Sequence, residues 1–342
     1  MIYCLYSSIR GVFMKLKSVG FVVILLCTIC LFSVSCQPSN ADKIKPVIKT
    51  ELAYKITGEN TCAIIQGSII TDSDVTIPEQ IDGYTVTTIE SNAFGDRKDI
   101  TSITIPGTVS SIERFAFGNC IKLESVVIEE GIAALTIASD AFIGCNNLKK
   151  VMIPSRVDLM LPGAFTECNK LTEISIDKEN KQYYAKDSII FYKDKKSIYA
   201  YPSASGRCVL PKNVVYIEDR AFRCCTQLTS IILPDSLTTI GGAAFEFCFN
   251  LESITIPSET TYLDLSAFNG CDKLTELTIL SKKLELDLTS RSSCPRLSDI
   301  SFCGTKKEWN ALMNNSISPV DSFFATAVIH CTDGNISYRI NL

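Results

Sequence analysis

Histidine and tryptophan are nearly absent from this chain. His330 and Trp309 each stand alone among 342 residues, and one imidazole leaves few routes to general acid–base catalysis or to a zinc site. An excess of basic charge is also missing: 33 Lys and Arg face 37 Asp and Glu, for a net charge of −4. Nucleic acid is therefore not an expected partner, because holding phosphates takes a basic patch. No phosphate loop or dinucleotide fingerprint occurs, and Asp72, Asp74 and Asp82 lack the fixed offsets of a calcium loop. These absences leave no catalytic residue, metal site or cofactor to nominate, and the chain is not expected to be an enzyme.

Apolar residues make up 46% of the chain and charged residues 20%, the composition of a folded protein. The first segment reads as an address. Met14 opens a better export signal than Met1: Lys15 and Lys17 precede the uncharged apolar run Gly20 to Val34. Ser33-Val34-Ser35-Cys36 resembles a bacterial lipoprotein processing site, with Ser33 where Leu, Val or Ile is usual. That resemblance implies cleavage before Cys36 and lipid attachment to it. Ordinary signal cleavage and an uncleaved anchor are the alternatives, although the run is short for a membrane span. Residues 1–36 are thus an export signal and residues 37–50, polar and holding Pro38 and Pro46, a tether.

Beyond the tether the sequence repeats. Ala-Phe recurs at Phe94, Phe117, Phe142, Phe165, Phe222, Phe245 and Phe268, at intervals of 23, 25, 23, 57, 23 and 23. The 57-residue interval holds one longer rung. A cysteine follows the phenylalanine by three at Cys120, Cys145, Cys168, Cys225, Cys248 and Cys271, and a leucine follows each cysteine by three. Cys294 and Leu297 continue the series without Ala-Phe, on a rung carrying Ser290-Arg291-Ser292-Ser293. After each leucine comes an alternating stretch such as Ile254-Thr255-Ile256-Pro257. Period-2 alternation marks a short strand with Ile103 and Ile105 inward and Ser102 and Thr104 outward, and proline ends it. A second short strand is expected around Val109 to Ile112 and Leu237 to Ile240, and A-F-x-x-C is read as a tight helical turn. One unit cannot bury its own apolar edge, so stacked units must share a continuous core.

A leucine-rich period in the low twenties with a recurrent cysteine is the signature of a repeat solenoid. The pattern resembles the BspA-type leucine-rich repeats of bacterial surface proteins. The resemblance implies about ten rungs, mainly short parallel β-strands with short helical turns. It also implies an N-terminal cap at 51–81, a solenoid at 82–301 with a long rung at 177–209, and a C-terminal cap at 302–342 around Gly304 to Trp309 and His330 to Gly334. Within the long rung, Ser188 to Tyr192 and Ser197 to Tyr201 flank a hairpin turn, Lys193 to Lys196, whose charge is expected to be solvated. Gly241-Gly242 reads as turn geometry.

Cysteines spaced one per rung form a column, not a metal site, and are read as small buried filler. Neighbouring rungs come close enough that disulfides are the alternative, and Cys303 could pair with Cys331. His330 reads as a cap residue, since no nucleophile motif accompanies it. Trp309, Tyr183, Tyr184, Tyr192, Tyr199 and Tyr201 are expected to pack the hairpin onto the solenoid, with interface anchoring the alternative.

The resemblance implies a protein-binding protein that adheres to host matrix or other cells. The expected partner is an extracellular or envelope protein, and the membrane is reached through a lipid at Cys36 on the exposed surface of the envelope. Outward strand positions would carry the contacts: Ser102, Thr104, Ser125, Val127, Glu173, Ser175, Ser230, Ile232, Ser253, Thr255, Glu276 and Thr278. A periplasmic or envelope scaffold binding glycan or another envelope component is the second reading.

Overall fold

The computed structural model describes residues 51–193, 196–287, 293–314, 324 and 327–337. The export signal, the tether and Cys36 lie outside these residues, as do Ser290 to Ser292 and part of the hairpin tip.

Alternation produces the strands. An antiparallel pair, β1 (Tyr54–Ile56) and β2 (Thr61–Ile64), leads to β3 (Asp74–Thr76), β4 (Gln80–Ile81) and β5 (Tyr84–Ile89). Successive rungs then contribute β6 (Ser102–Ile105), β7 (Ser111–Ile112), β8 (Ser125–Ile128), β9 (Leu135–Ile137), β10 (Lys150–Ile153), β11 (Val157–Met160) and β12 (Glu173–Ile176). The long rung supplies an antiparallel meander of β13 (Tyr183–Lys186), β14 (Ile189–Tyr192) and β15 (Ser197–Ala200). The series resumes with β16 (Gly206–Val209), β17 (Tyr216–Ile217), β18 (Leu228–Ile232), β19 (Thr239–Ile240), β20 (Ser253–Ile256), β21 (Tyr262–Asp264), β22 (Glu276–Ile279), β23 (Glu285–Asp287) and β24 (Asp299–Phe302). Helix α1 (Lys306–Asn314) and the hairpin of β25 (Val328–Cys331) and β26 (Gly334–Ser337) close the described chain. Thr305 and Glu308 cap α1 reciprocally: the Thr305 N–H donates to Glu308 Oε2 at 2.7 Å and the Glu308 N–H to Thr305 Oγ1 at 3.3 Å.

The strands stack into four sheets, two in each half of the molecule. The first half has β1-β2-β5-β7-β9-β11, with β4 on β5, and β12-β10-β8-β6-β3. The second has β13-β14-β15-β17-β19-β21-β23 and β16-β18-β20-β22-β24-β25-β26. Like meets like across the parallel ladders: Ile103 pairs with Val126, and Ile254 with Leu277. The inward residues Ile103 and Ile105 are 1% and 0% exposed, while Ser102 and Thr104 are half-buried.

On the third side of each coil A-F-x-x-C forms the expected tight turn, the Cys120 N–H donating to Phe117 O at 3.3 Å and the Cys248 N–H to Phe245 O at 3.1 Å, but the turn does not extend into an α-helix. Residues with positive φ bracket each Ala-Phe, as at Asn92 and Asp96, Asp140 and Gly144, and Arg220 and Cys224. Left-handed residues break an α-helix after a single turn. They aim backbone groups at the next coil instead: the Phe94 N–H donates to Ala116 O at 2.8 Å and the Phe222 N–H to Ala244 O at 2.8 Å. Only Leu265–Phe268 forms a 3-10 helix here, where Ser266 takes the place of a left-handed residue. Inside this ladder the rings stack, Phe94 on Phe117 on Phe142 on Phe165 at centroid distances of 5.2, 5.0 and 5.4 Å, and Phe222 on Phe245 at 5.0 Å. Each ring is essentially fully buried, worth roughly 1.5–3 kcal/mol apiece in area removed from water.

The repeat predicts one continuous interior, but the structure has two. Buried residues from Cys62 to Leu171 form one cluster and those from Ala204 to Ile329 another. The meander divides them because alternate residues on a strand face opposite ways. Ile190 and Tyr199 join the first cluster, while Ile189, Phe191 and Ile198 join the second. Both sheets stop at this seam, where β11 and β12 end one half and β13 and β16 begin the other. Side chains replace the missing strand beside β11. The Met160 N–H donates to Tyr183 Oη at 2.9 Å, and the Tyr199 hydroxyl donates to Leu161 O at 2.7 Å. Asn180, fully buried, donates to Pro154 O and Val157 O and accepts from the Gln182 and Tyr183 N–H groups. Tyr183, Tyr199 and Trp309 are therefore interior residues and not interface anchors.

Candidate functional site

The twelve outward positions fall on six strands. Ser102 and Thr104 lie on β6, Ser125 and Val127 on β8, and Glu173 and Ser175 on β12. Ser230 and Ile232 lie on β18, Ser253 and Thr255 on β20, and Glu276 and Thr278 on β22. All twelve are exposed or half-buried. Parallel register aligns them into rows: Ser102 pairs with Ser125, Thr104 with Val127, Ser230 with Ser253, and Thr255 with Thr278. They do not form one surface, because six belong to the sheet ending at β12 and six to the sheet beginning at β16. Alternation also implies Lys150 and Met152 on β10 and Asp299 and Ser301 on β24, which complete the rows. Met152 and Ile232 are each 42% exposed and Val209 is 65% exposed, so the faces mix small polar groups with bare apolar ones.

The cysteine column does more than fill space. Each column thiol donates to the carbonyl of the aromatic residue one coil earlier: Cys120 to Phe94 at 3.1 Å, Cys145 to Phe117 at 3.1 Å and Cys168 to Phe142 at 3.2 Å. The second half repeats this with Cys225 on Tyr201 at 3.2 Å, Cys248 on Phe222 at 3.1 Å, Cys271 on Phe245 at 3.2 Å and Cys294 on Phe268 at 2.9 Å. Tyr201 thus occupies the phenylalanine slot of the long rung. Cys294 keeps its place on the rung that lacks Ala-Phe. All twelve described cysteines are free thiols, Cys303 and Cys331 included. Burial pushes the Cys271 and Cys294 thiols well above the ordinary range and Cys208 up to about 11, which suppresses the reactive thiolate.

His330 sits on β25 with Nε2 at 3.0 Å from Asp299 Oδ1 and Nδ1 at 3.2 Å from Asn335 Oδ1. The nearby Ser298 hydroxyl donates to Asp299 Oδ2 at 2.6 Å. That bond and the one from His330 hold the Asp299 carboxyl below the usual range. A serine bonded to the carboxylate cannot pass its proton to the imidazole, so this cluster lacks the relay of a hydrolytic triad. Among the described residues no group of three or more His, Cys, Asp or Glu could hold a metal ion, and no helix is long and apolar enough to cross a membrane.

One charged group crosses the seam. The Asp140 carboxylate, 2% exposed, lies 2.9 Å from Arg114 in its own half. It lies 3.5 Å from Arg220 and 3.6 Å from Arg223 in the other. Gly163 permits this reach, since a Cβ there would stand 3.2 Å from both Asp140 Oδ1 and Arg220 Cδ. The sequence spacing holds no hint of this group, because its members come from rungs that only the long insertion brings together.

A family model for the BspA type leucine rich repeat region matches six copies over residues 87–203 and 195–317. Among solved structures, a leucine-rich repeat protein from Eubacterium ventriosum is similar at 19% identity. It covers 75% of this chain and 77% of its own, with a TM-score of 0.53, a likeness of fold. A leucine rich cell surface protein from Faecalibacterium prausnitzii shares 23% identity over 76% of this chain and 95% of its own, with a TM-score of 0.39. The pneumococcal vaccine antigen PcpA shares 18% identity over 80% and 96%, with a TM-score of 0.42. No curated protein matches the chain.

Proposed function

The chain belongs to the BspA-type leucine-rich repeat family, and on that premise we propose that it is an envelope-anchored, surface-exposed protein that adheres to host matrix or neighbouring cells. The observation that carries this reading is the pair of strand faces, where small polar residues and exposed apolar ones recur in register from coil to coil. Such a face offers many equivalent contacts to an extended macromolecule, the usual use of a solenoid surface. Small polar groups beside scattered exposed apolar ones suit protein recognition. Lipid attachment at Cys36 supplies the anchor, and a second signal would be needed if only one acyl chain were added.

Solid-phase binding of the exported protein to purified matrix proteins is the direct test. Thr255→Lys together with Thr278→Lys places two charges in one row and should abolish retention; equal retention of the variant removes the strand face from the reading. Protease treatment of intact cells decides orientation: a protected solenoid faces the periplasm and leaves the envelope-scaffold reading. Palmitate labelling that persists in Cys36→Ala would overturn the anchor.

A further inference from the structure

At the seam the molecule carries a cleft of about 730 Å³, within the roughly 300–1,000 Å³ typical of small-ligand sites, which favour such junctions. Asn146 and Glu167 line it from the first half; Thr226, Gln227, Phe247 and Phe249 line it from the second. The long rung turns away here into the meander, and both sheets of the first half stop at this seam. We propose that this cleft is a binding site for a neutral saccharide.

The lining chemistry selects that class. Phe247 and Phe249 present two phenyl rings 5.9 Å apart, and Phe249 is 42% exposed. Phe247 is held in place, since Arg223 lies over its ring at 5.7 Å and a Cβ at Gly270 would meet it at 2.5 Å. A phenyl face is electronegative and attracts polarised C–H groups. The Asn146 and Gln227 side-chain amides have no partner among the described residues, so both can donate and accept. The Glu167 carboxylate lines the cleft beside Cys224 and keeps lone pairs for further donors. A ligand meeting both demands needs an apolar face with hydroxyls around its rim, which describes a pyranose ring. Glu167 and Lys170 both border the cleft with opposite charges, so its lining favours neither an anion nor a cation, and Lys170 also donates to Asn147 Oδ1 at 2.6 Å. An extended peptide would need backbone groups in register, and those here are engaged. The Cys224 N–H donates to Glu246 O and Thr226 O accepts from Asn250. Cys224 O accepts from the Asn169 amide. The site is separate from the strand faces and stands whether or not those bind protein.

Isothermal titration of the exported protein with four neutral tetrasaccharides tests this: cellotetraose, maltotetraose, mannotetraose and tetraacetylchitotetraose. At least one should bind with a Kd at or below about 1 mM, and Phe249→Ala and Glu167→Gln should each weaken it by about tenfold. Thr255→Lys on β20 should leave that affinity unchanged; buried Trp309 reports through its fluorescence that the second half of each variant is folded, and far-UV circular dichroism that the first half is. The assignment is overturned if none of the four binds at about 10 mM, or if both cleft variants bind like the parent. It is also overturned if an uncharged apolar tetrapeptide, acetyl-Leu-Phe-Ala-Leu-amide, is bound in the saccharides' place.

Discussion

Replacing Cys248 separates the two roles a buried thiol can have. Its sulfur is fully buried in the second core and donates to Phe222 O at 3.1 Å. Cys248→Ala removes one of the two donors to that carbonyl, which keeps the Cys225 N–H at 3.1 Å; the lost bond costs about 0.5–1.5 kcal/mol, and the gap near the size of a methyl group about 1 kcal/mol more. Cys248→Ser keeps a donor and loses only bulk and polarisability, so its cost should stay near 1 kcal/mol, about that of the gap alone. If the thiol were mere apolar filler the order would reverse, because an unpartnered buried hydroxyl costs about 1–3 kcal/mol that alanine avoids. Urea unfolding followed by Trp309 fluorescence reads the difference, since Trp309 is buried in the same cluster. With a slope of about 2–3 kcal/mol/M, alanine should lower the midpoint by about 0.5–1 M and serine by about half that. An alanine midpoint at or above that of serine refutes the donor role. Cys120 and Cys271, bonded alike, should give the same order.

Four further outcomes follow from the same geometry. Phe117→Ala, in the middle of a stack, should cost about 3–5 kcal/mol in the first core; far-UV circular dichroism should show an early transition while the Trp309 midpoint hardly moves. Asp140→Asn removes the carboxylate between three arginines and should cost about 2–4 kcal/mol, read as a loss in the same unfolding curves. Alkaline pH should destabilise the fold. Burial raises the Cys208 pKa from 9.0 to about 11, so this contribution is intact below pH 9 and lost as pH rises toward 11, where the unfolded chain has already released its proton. Thiol alkylation of the native protein, mapped peptide by peptide, should modify Cys303 and Cys331 among the described cysteines and leave the column untouched until denaturant is added.

The fold was legible because its signal recurs. Seven Ala-Phe pairs and their cysteines repeat one physical slot, so errors at a single rung such as that of Cys294 do not obscure the pattern. Inward and outward assignments at Ile103 and Ser102 follow from alternation alone. The partition of the core was not legible, although its agents were in view. Tyr183, Tyr199 and Asn180 read as hairpin packing or as nothing, because capping a broken sheet edge depends on which carbonyls lie opposite. The left-handed residues were equally silent: Asn92 and Asp140 suit positive φ, but Phe115 and Phe247 do not advertise it. The cleft has no local signature at all. Its lining is drawn from four rungs, and it exists only because residues 177–209 leave the helical path of the coil.

Because the meander closes the interior of each half, the arms on either side are independent in length. A duplicated or deleted 23-residue unit away from the seam keeps every ladder in phase, as each coil answers only to its neighbours. Asp140, the tyrosine caps and the notch between Asn146 and Phe249 would sit unchanged amid such growth. Reach and site shape are thereby free to vary separately, which a solenoid of uninterrupted rungs does not permit.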